Sequence, residues 1–182
     1  EMGKQVAMRA LFIELNKTSY QRLRCWAIEH GTDGVPVESW NKDFRESVDA
    51  VVQWLHPDDF AFVLIDPTGL APTPTQLTRL LQRPNTEVLI NVMWDFINRF
   101  RRHDNFVPTC TDFFGPGYAK EFDVDKLKLD VNRAVMDCFA ARIREVGGAA
   151  GGQRYRCARF PVEYVHCESR VRYYLFFATF SD

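Results

Sequence analysis

Acidic residues recur directly after apolar segments of this chain, where ligands collect in many α/β proteins. Glu14 follows the run ALFI, Asp43 lies in the segment WNKDF, and Asp66 follows FAFVLI. A carboxylate at the end of an early strand commonly accepts hydrogen bonds from ribose hydroxyls, and one in the next loop can accept an adenine amino group. Together the three acids predict a nucleoside pocket. Each acid taken alone is equally typical of a helix cap or of the first residue of a turn.

The segment Asp66-Pro67-Thr68-Gly69 is the most informative of these strand ends and has two interpretations. Asp at the first position, Pro at the second and Gly at the fourth are the preferences of a type I turn. Alternatively, a rigid turn holds the Asp66 carboxylate and nearby carbonyl groups as acceptors for a substrate amino group. The motif leaves both interpretations open, and we take Asp66 and Pro67 as candidate catalytic residues.

Polar residues also follow the apolar segment EVLINV. In INVMWDFINRF they alternate with aromatic residues, a pattern typical of an amphipathic helix that packs its aromatic side into the core. Arg99 and residues 101–103 form a basic run, which suits either a phosphate group or a solvated helix end. We take Asn91 and Arg99 as candidate substrate-binding residues.

The order of apolar and amphipathic segments predicts an α/β fold. Strands are expected at 10–14, 35–37, 60–65 and 87–92, with helices between them, the first capped by Thr18 and the third by Thr73. Strands alternating with helices indicate βαβ crossovers and a mostly parallel sheet. A helix at 125–146 and two strands, 158–167 and 171–180, add an antiparallel C-terminal hairpin.

Length and composition are those of a single globular domain over residues 1–182. The net charge of -1 provides no overall attraction to nucleic acid or acidic membranes. Five cysteines without a CxxC pair indicate reduced thiols, and the chain has neither a signal-peptide pattern nor a membrane-length apolar run. We therefore expect a cytoplasmic protein. The four histidines have no metal-binding spacing, and neither a GxSxG elbow nor a Walker loop is present.

Four segments, LIDPTG, TEVLINVMWDFINRF, FFGPG and RVRYYLFFATF, resemble the family of three-Cys-motif partner proteins in order and spacing. The resemblance covers residues 11–180. It implies a Rossmann-like, three-layer class I methyltransferase fold that uses S-adenosylmethionine and works with a radical-SAM-like protein bearing a three-cysteine motif. It also implies that Glu14 binds the cofactor ribose, that Asp43 and Phe44 contact its adenine, and that Asp66-Pro67 stands at the methyl-transfer edge.

The chain departs from this pattern at two places. Amino-methyltransferases carry an Asp/Asn-Pro-Pro-aromatic motif, whereas Thr68 and Gly69 stand here in place of the second proline and the aromatic residue. The family's first strand and its glycine-rich cofactor loop have no equivalent, because the GPG at 115–117 follows the fourth strand. We therefore expect an N-terminally incomplete domain whose sheet edges require pairing or a partner, and an oligomer is compatible with this.

Three functions follow as hypotheses. The first is a methyltransferase-like domain with nucleic acid as a candidate substrate. The second is a catalytically inactive protein that retains the fold in order to bind a partner. The third is a metal-dependent nucleic-acid-processing enzyme in which Asp66, with Asp43 or Glu14, holds the ion.

Overall fold

The computed structural model describes residues 7–31, 34–100, 104–116, 118, 128–148, 155–164 and 171–180. The chain divides into two compact units, residues 1–49 and 50–182, which are described separately below. Each contains helices and a sheet of its own, so the α/β class expected from the sequence is confirmed. Within the described residues, no helix combines the length and apolarity needed to cross a membrane.

The first unit contains one βαβ crossover. Strand β1 (Ala10–Ile13) leads through helix α1 (Lys17–His30) to strand β2 (Val37–Trp40), which pairs with β1 in parallel. Helix α2 (Phe44–Trp54) begins in this unit. The second strand starts later than its sequence predicts, at Val37 instead of residue 35. Proline has no backbone N–H to give to a ladder, and Pro36 offers only its carbonyl, which accepts from Ala10 at 2.9 Å.

The sequence pattern predicted Thr18 as the N-cap of α1, but the structure shows that the cap is Asn16. The Asn16 side chain accepts a hydrogen bond from the Ser19 backbone N–H at 3.0 Å. Asparagine is the stronger capping residue, and its position directly before Lys17 lets it satisfy a free N–H group of the first turn. The helix therefore begins one residue before the expected cap.

The second unit contains a mixed four-stranded sheet with the order β3-β4-β6-β5. Strands β3 and β4 are parallel, and β6 runs antiparallel to both β4 and β5. The predicted C-terminal hairpin is therefore confirmed. In chain order the elements are β3 (Ala61–Ile65), α3 (Thr78–Leu81), β4 (Thr86–Val92), α4 (Trp94–Phe100), a 3₁₀ turn (Asp104–Phe106), α5 (Val107–Phe114), α6 (Lys128–Gly148), β5 (Arg156–Glu163) and β6 (Val171–Thr179).

One face of this sheet carries the core of the second unit. Alternate residues of β4 are buried, and Ile90 lies opposite the buried Phe176 of β6. Helix α6 covers this face with an apolar stripe, in which Phe139 meets Phe176 edge-on at 4.7 Å. The same ring stacks on Phe113 of α5 at 4.6 Å. Aromatic packing thus joins the sheet to α5 and α6.

The helix predicted after β3 is much shorter than its start signal indicates. The expected capping box is present, because Thr73 N–H donates to Gln76 Oε1 at 2.9 Å and Gln76 N–H donates to Thr73 Oγ1 at 3.4 Å. However, residues 74–77 form turns, and α3 covers only Thr78–Leu81. A capping box satisfies the first N–H groups of a helix but does not set its length.

A buried arginine follows α3. The Arg83 guanidinium donates to Thr86 Oγ1 at 2.8 Å, to the Pro84 carbonyl at 3.1 Å and to the Asp59 carbonyl at 3.0 Å, and it also contacts the His56 carbonyl. Arg83 is 8% exposed. It therefore fixes the loop that precedes β3 to the start of β4.

Candidate functional site

Two of the predicted site residues meet at the ends of neighbouring parallel strands. Ile65 of β3 lies opposite Ile90 of β4, so the residues that follow this pair are Asp66 and Asn91. Asn91 Nδ2 donates a hydrogen bond to Asp66 Oδ1 at 2.6 Å. The Asp66 side chain is exposed, and its second oxygen accepts no hydrogen bond from the described residues. A carboxylate held from one side and open on the other can accept hydrogen bonds from a ligand.

The Asn91 amide holds a second acceptor at this strand end. Its Oδ1 atom is buried and has no hydrogen-bond partner within the described part of the chain. If the Asn91 amide were rotated by half a turn, its Oδ1 would face the Asp66 carboxylate, and both groups are acceptors. The hydrogen bond therefore requires that Nδ2 faces Asp66. A buried acceptor without a donor costs about 1–3 kcal/mol. The pair therefore offers the second Asp66 oxygen as an exposed acceptor, and the buried Asn91 Oδ1 carries a local cost.

The backbone after β3 bends without forming the expected closed turn. Residues 68–70 are bends, and no backbone hydrogen bond joins the Gly69 N–H to the Asp66 carbonyl among the residues the structure places. Pro67 is half-buried next to the exposed Asp66. The interpretation of this segment as a type I turn alone therefore receives no support from its backbone hydrogen bonds, and the Asp66 carboxylate is held by Asn91.

Arg99 does not join this pair. It lies exposed in the last turn of α4 and makes no hydrogen bond to Asp66 or Asn91. The basic run at 101–103 that continues from it is outside the described residues. The predicted role of Arg99 in substrate binding thus stays a prediction.

A tyrosine that the sequence pattern did not single out lies at the same edge of the sheet. Tyr164 follows β5, whose end lies beside the end of β4 because β6 runs antiparallel to both strands. The Tyr164 hydroxyl donates to Asp95 Oδ2 at 2.7 Å, and the Arg172 guanidinium lies 5.5 Å from the centre of the Tyr164 ring. The predicted antiparallel hairpin, with β6 running opposite to β5, could have indicated that Tyr164 lies at the same edge of the sheet as the end of β4. The contact with Asp95 could not have been read from the chain.

In the first unit, Glu14 and Asn41 tie together the loops that follow β1 and β2. Glu14 Oε1 accepts from the Asn16 N–H at 2.7 Å. The Asn41 side chain donates to the Glu14 and Leu15 carbonyls at 2.8 and 3.0 Å. Glu14 is half-buried, and its other carboxylate oxygen accepts no hydrogen bond from the residues described. Glu14 thus has an acceptor available at the end of β1.

Asp43 is already engaged by its own helix. Its Oδ1 accepts from the Arg45 backbone N–H at 2.9 Å, and both carboxylate oxygens accept from the Arg45 guanidinium. Hydrogen bonding from the Arg45 side chain is the largest cause that holds the pKa of Asp43 below its ordinary value. Phe44, the first residue of α2, is half-buried beside it. Asp43 therefore serves as a helix cap in this structure.

A separate polar cleft lies in the second unit. Its volume is about 460 Å³, within the range of roughly 300–1,000 Å³ that is common for ligand pockets. Its lining includes Thr73, Gln76, Asp112 and Arg142. The Arg142 guanidinium is engaged by Glu145 at 2.7 Å and by Thr75 Oγ1 at 3.1 Å. None of the predicted site residues lines the cleft.

The structure adds no support for a metal site, since the described residues contain no group of three or more His, Cys, Asp or Glu side chains placed to hold an ion.

A scan against models of known protein families gives no match, and a search of curated proteins finds no relative of this chain. Functional inference therefore depends on the geometry of the strand ends and on the sequence resemblance.

Proposed function

We propose that this chain is an S-adenosylmethionine-dependent methyltransferase-like domain that works with a three-Cys-motif radical-SAM-like partner. We further propose that Asp66 and Pro67 stand at its reaction edge and that amino groups of nucleic acid are candidate acceptors. The observation that carries the proposal is the Asp66–Asn91 pair at the ends of two adjacent parallel strands. In open α/β sheets, ligands bind outside the carboxyl ends of the strands.

In this proposal Asp66 acts as an acceptor and Asn91 positions it. The open carboxylate oxygen of Asp66 accepts a hydrogen bond from the substrate amino group and thereby orients the nitrogen lone pair. The contact of 2.6 Å with Asn91 holds the other oxygen in place. S-adenosylmethionine supplies the methyl group when it is bound. We assign the proton that the amino nitrogen loses to Asp66 or to water.

The residues of the first unit fit part of this cofactor. Glu14 has an oxygen available for the ribose hydroxyls. Asp43 fits less well, because both of its oxygens accept from Arg45, and an adenine amino group would have to compete with the guanidinium. Phe44, half-buried at the start of α2, is the candidate contact for the adenine ring.

The engagement of Asp43 favours a second candidate function. A chain that uses this carboxylate to cap a helix and to pair with Arg45 can retain the fold without binding the cofactor. Such a chain would be a catalytically inactive binding protein. No contact in the described residues favours the metal-dependent enzyme in the same way.

Isothermal titration with S-adenosylmethionine distinguishes the two candidates. We expect heat from a version of the chain extended by an upstream strand and glycine loop, and Glu14→Gln in that version should weaken binding about tenfold because a charged hydrogen bond is lost. The matched control is Glu29→Gln, which changes an exposed acid of α1 and leaves the affinity unchanged. Absence of heat both from this chain and from a version extended by an upstream strand and glycine loop would support the binding protein.

Transfer of a labelled methyl group to single-stranded oligonucleotides tests the reaction edge. Asp66→Asn should reduce the rate, since a neutral amide accepts a weaker hydrogen bond from the amino group. Asp58→Asn is the control, because Asp58 is exposed in the loop before β3. Full activity of Asp66→Asn would contradict the role assigned to Asp66.

A further inference from the structure

The polar cleft of the second unit is separate from the strand ends that carry the proposed reaction. It is formed by the loop that follows β3, by α5 and by α6, which contribute Thr75 and Gln76, Asp112, and Arg142. Its volume of about 460 Å³ is near the lower end of the range common for ligand pockets, so the cleft suits a small molecule. No aromatic side chain is among its described lining residues, so it offers no ring on which a nucleobase could stack.

Arg142 supplies a positive charge to the cleft. Its side chain is 28% exposed, and its guanidinium donates to Glu145 Oε2 at 2.7 Å and to Thr75 Oγ1 at 3.1 Å. The Glu145 side chain is 68% exposed, and an ion pair with so exposed a partner is weak because water competes with it. A guanidinium has five N–H groups, so Arg142 retains donors for the carboxylate of a ligand.

Asp112 supplies a negative charge that is not paired with this arginine. Both residues line the cleft, but within the described residues Arg142 pairs with Glu145, and the exposed Asp112 carboxylate accepts no hydrogen bond. The Gln76 Oε1 atom accepts from the Thr73 N–H at 2.9 Å, whereas its Nε2 atom makes no hydrogen bond to the residues that the structure describes. The cleft therefore presents an open acid on α5 and open donors on the loop and on α6.

This combination of charges favours a zwitterion over other small polar ligands. An anion such as phosphate would be attracted by Arg142 but repelled by Asp112 and Glu145. A cation would be attracted by the acids but repelled by the guanidinium. A neutral sugar would leave both charges without an opposite charge. A molecule that carries a carboxylate and an ammonium group provides each charge of the cleft with an opposite partner.

We propose that the cleft binds a free α-amino acid with a small or polar side chain. Its carboxylate accepts hydrogen bonds from the Arg142 guanidinium, the Thr75 hydroxyl and the Gln76 amide. Its ammonium group donates to the Asp112 carboxylate. This binding is independent of the proposed methyl transfer, because the Asp66 side chain does not line the cleft.

Saturation-transfer NMR with each standard L-amino acid at about 10 mM tests the proposal. We expect at least one of them to bind with a dissociation constant of about 1 mM or lower. Its N-acetyl derivative lacks the ammonium charge and its amide lacks the carboxylate, so both should bind at least about tenfold more weakly. Absence of binding by every amino acid would overturn the proposal. Equal binding of the N-acetyl derivative, or tighter binding of inorganic phosphate, would overturn it as well.

Variants of the lining separate the roles of the two charges. Asp112→Asn should weaken the amino acid about tenfold or more but leave its N-acetyl derivative unaffected, because only the amino acid carries the ammonium group. Arg142→Gln should weaken the amino acid to a similar extent, whereas Arg144→Gln, at an exposed position of the same helix, should not. Unchanged binding in both Asp112→Asn and Arg142→Gln would place the ligand elsewhere and overturn the proposal.

Glu145→Gln tests the cleft in the opposite direction. The substitution removes the carboxylate that lies 2.7 Å from the Arg142 guanidinium and releases that guanidinium for the ligand. The amino acid should therefore bind about two- to fivefold more tightly, the gain expected from breaking a weak surface ion pair. A general disturbance of the fold would weaken binding instead. Weaker or unchanged binding in Glu145→Gln would contradict the role assigned to Arg142.

Discussion

The contact between Asn91 and Asp66 predicts an unusual pH dependence for the variant Asn91→Asp. The substitution nearly preserves shape, but it removes the amide donor that lies 2.6 Å from Asp66 Oδ1 and introduces a second carboxylate. A hydrogen bond to a charged group contributes about 1.5–3 kcal/mol, and the exposure of Asp66 favours the lower end of this range. Two like charges about 4 Å apart add roughly 1 kcal/mol of repulsion in water. We expect the free energy of unfolding at neutral pH to fall by about 2–3 kcal/mol.

The deficit should shrink in acid. Repulsion between the two carboxylates raises the pKa of the pair in the folded state above its unfolded value. A carboxylate with a raised folded pKa destabilises the protein above that pKa, and the destabilisation is lost as the pH falls through it. The variant should therefore recover part of its stability relative to the original chain as the pH is lowered to about 4.5.

Urea unfolding at about pH 7.5 and about pH 4.5 measures both effects. The matched control is the double variant Asp66→Asn and Asn91→Asp, which exchanges the two groups and restores one donor and one carboxylate. It should recover most of the lost stability at neutral pH. The reasoning would be refuted if the deficit of Asn91→Asp were the same at both pH values, or if the exchanged pair were as unstable as the single variant.

Two further predictions concern the core. Arg83→Met should lower the free energy of unfolding by about 3 kcal/mol or more, because the acceptors of a buried guanidinium lose their donors. Denaturant unfolding measures this free energy, and Arg133→Met, at an exposed position, is the control. If Arg83→Met lost no more stability than Arg133→Met, the assigned role of Arg83 would be contradicted. Burial raises the pKa of Cys110 to about 12 and that of Cys157 to about 11. Iodoacetamide at about pH 8 should therefore modify the exposed Cys25 in the folded protein and reach Cys110 and Cys157 only after unfolding, as peptide mapping would show. Rapid labelling of Cys110 in the folded protein would refute this.

Much of the local structure could be predicted because apolar spacing is a property of neighbouring residues. The continuous run that forms β3 and the stripe that buries one side of α6 are both visible in the sequence. Caps were less reliable, because several residues near a helix start can accept the same N–H groups. Asn16 caps α1 although Thr18 also fits the pattern, and the capping box of Thr73 and Gln76 forms without a long helix after it.

The sequence pattern did not show which partners particular polar side chains would bind. Asp43 was predicted to contact a ligand, yet the guanidinium of Arg45, two residues away, occupies both of its oxygens. The buried role of Arg83 was not predicted either, since its acceptors are mostly backbone carbonyls, which every residue possesses. A polar side chain acquires its partners only when the chain folds around it.

The sequence by itself determined which segments become strands and which residues stand at their ends, including Asp66 after β3 and Asn91 near the end of β4. Only the tertiary structure decided the register that brings these two side chains to 2.6 Å. It also decided the strand order that brings Tyr164 to Asp95 and leaves β3 at the edge. The physical reason is that apolar spacing is local, whereas register and strand order depend on packing and hydrogen bonds between residues far apart in the chain.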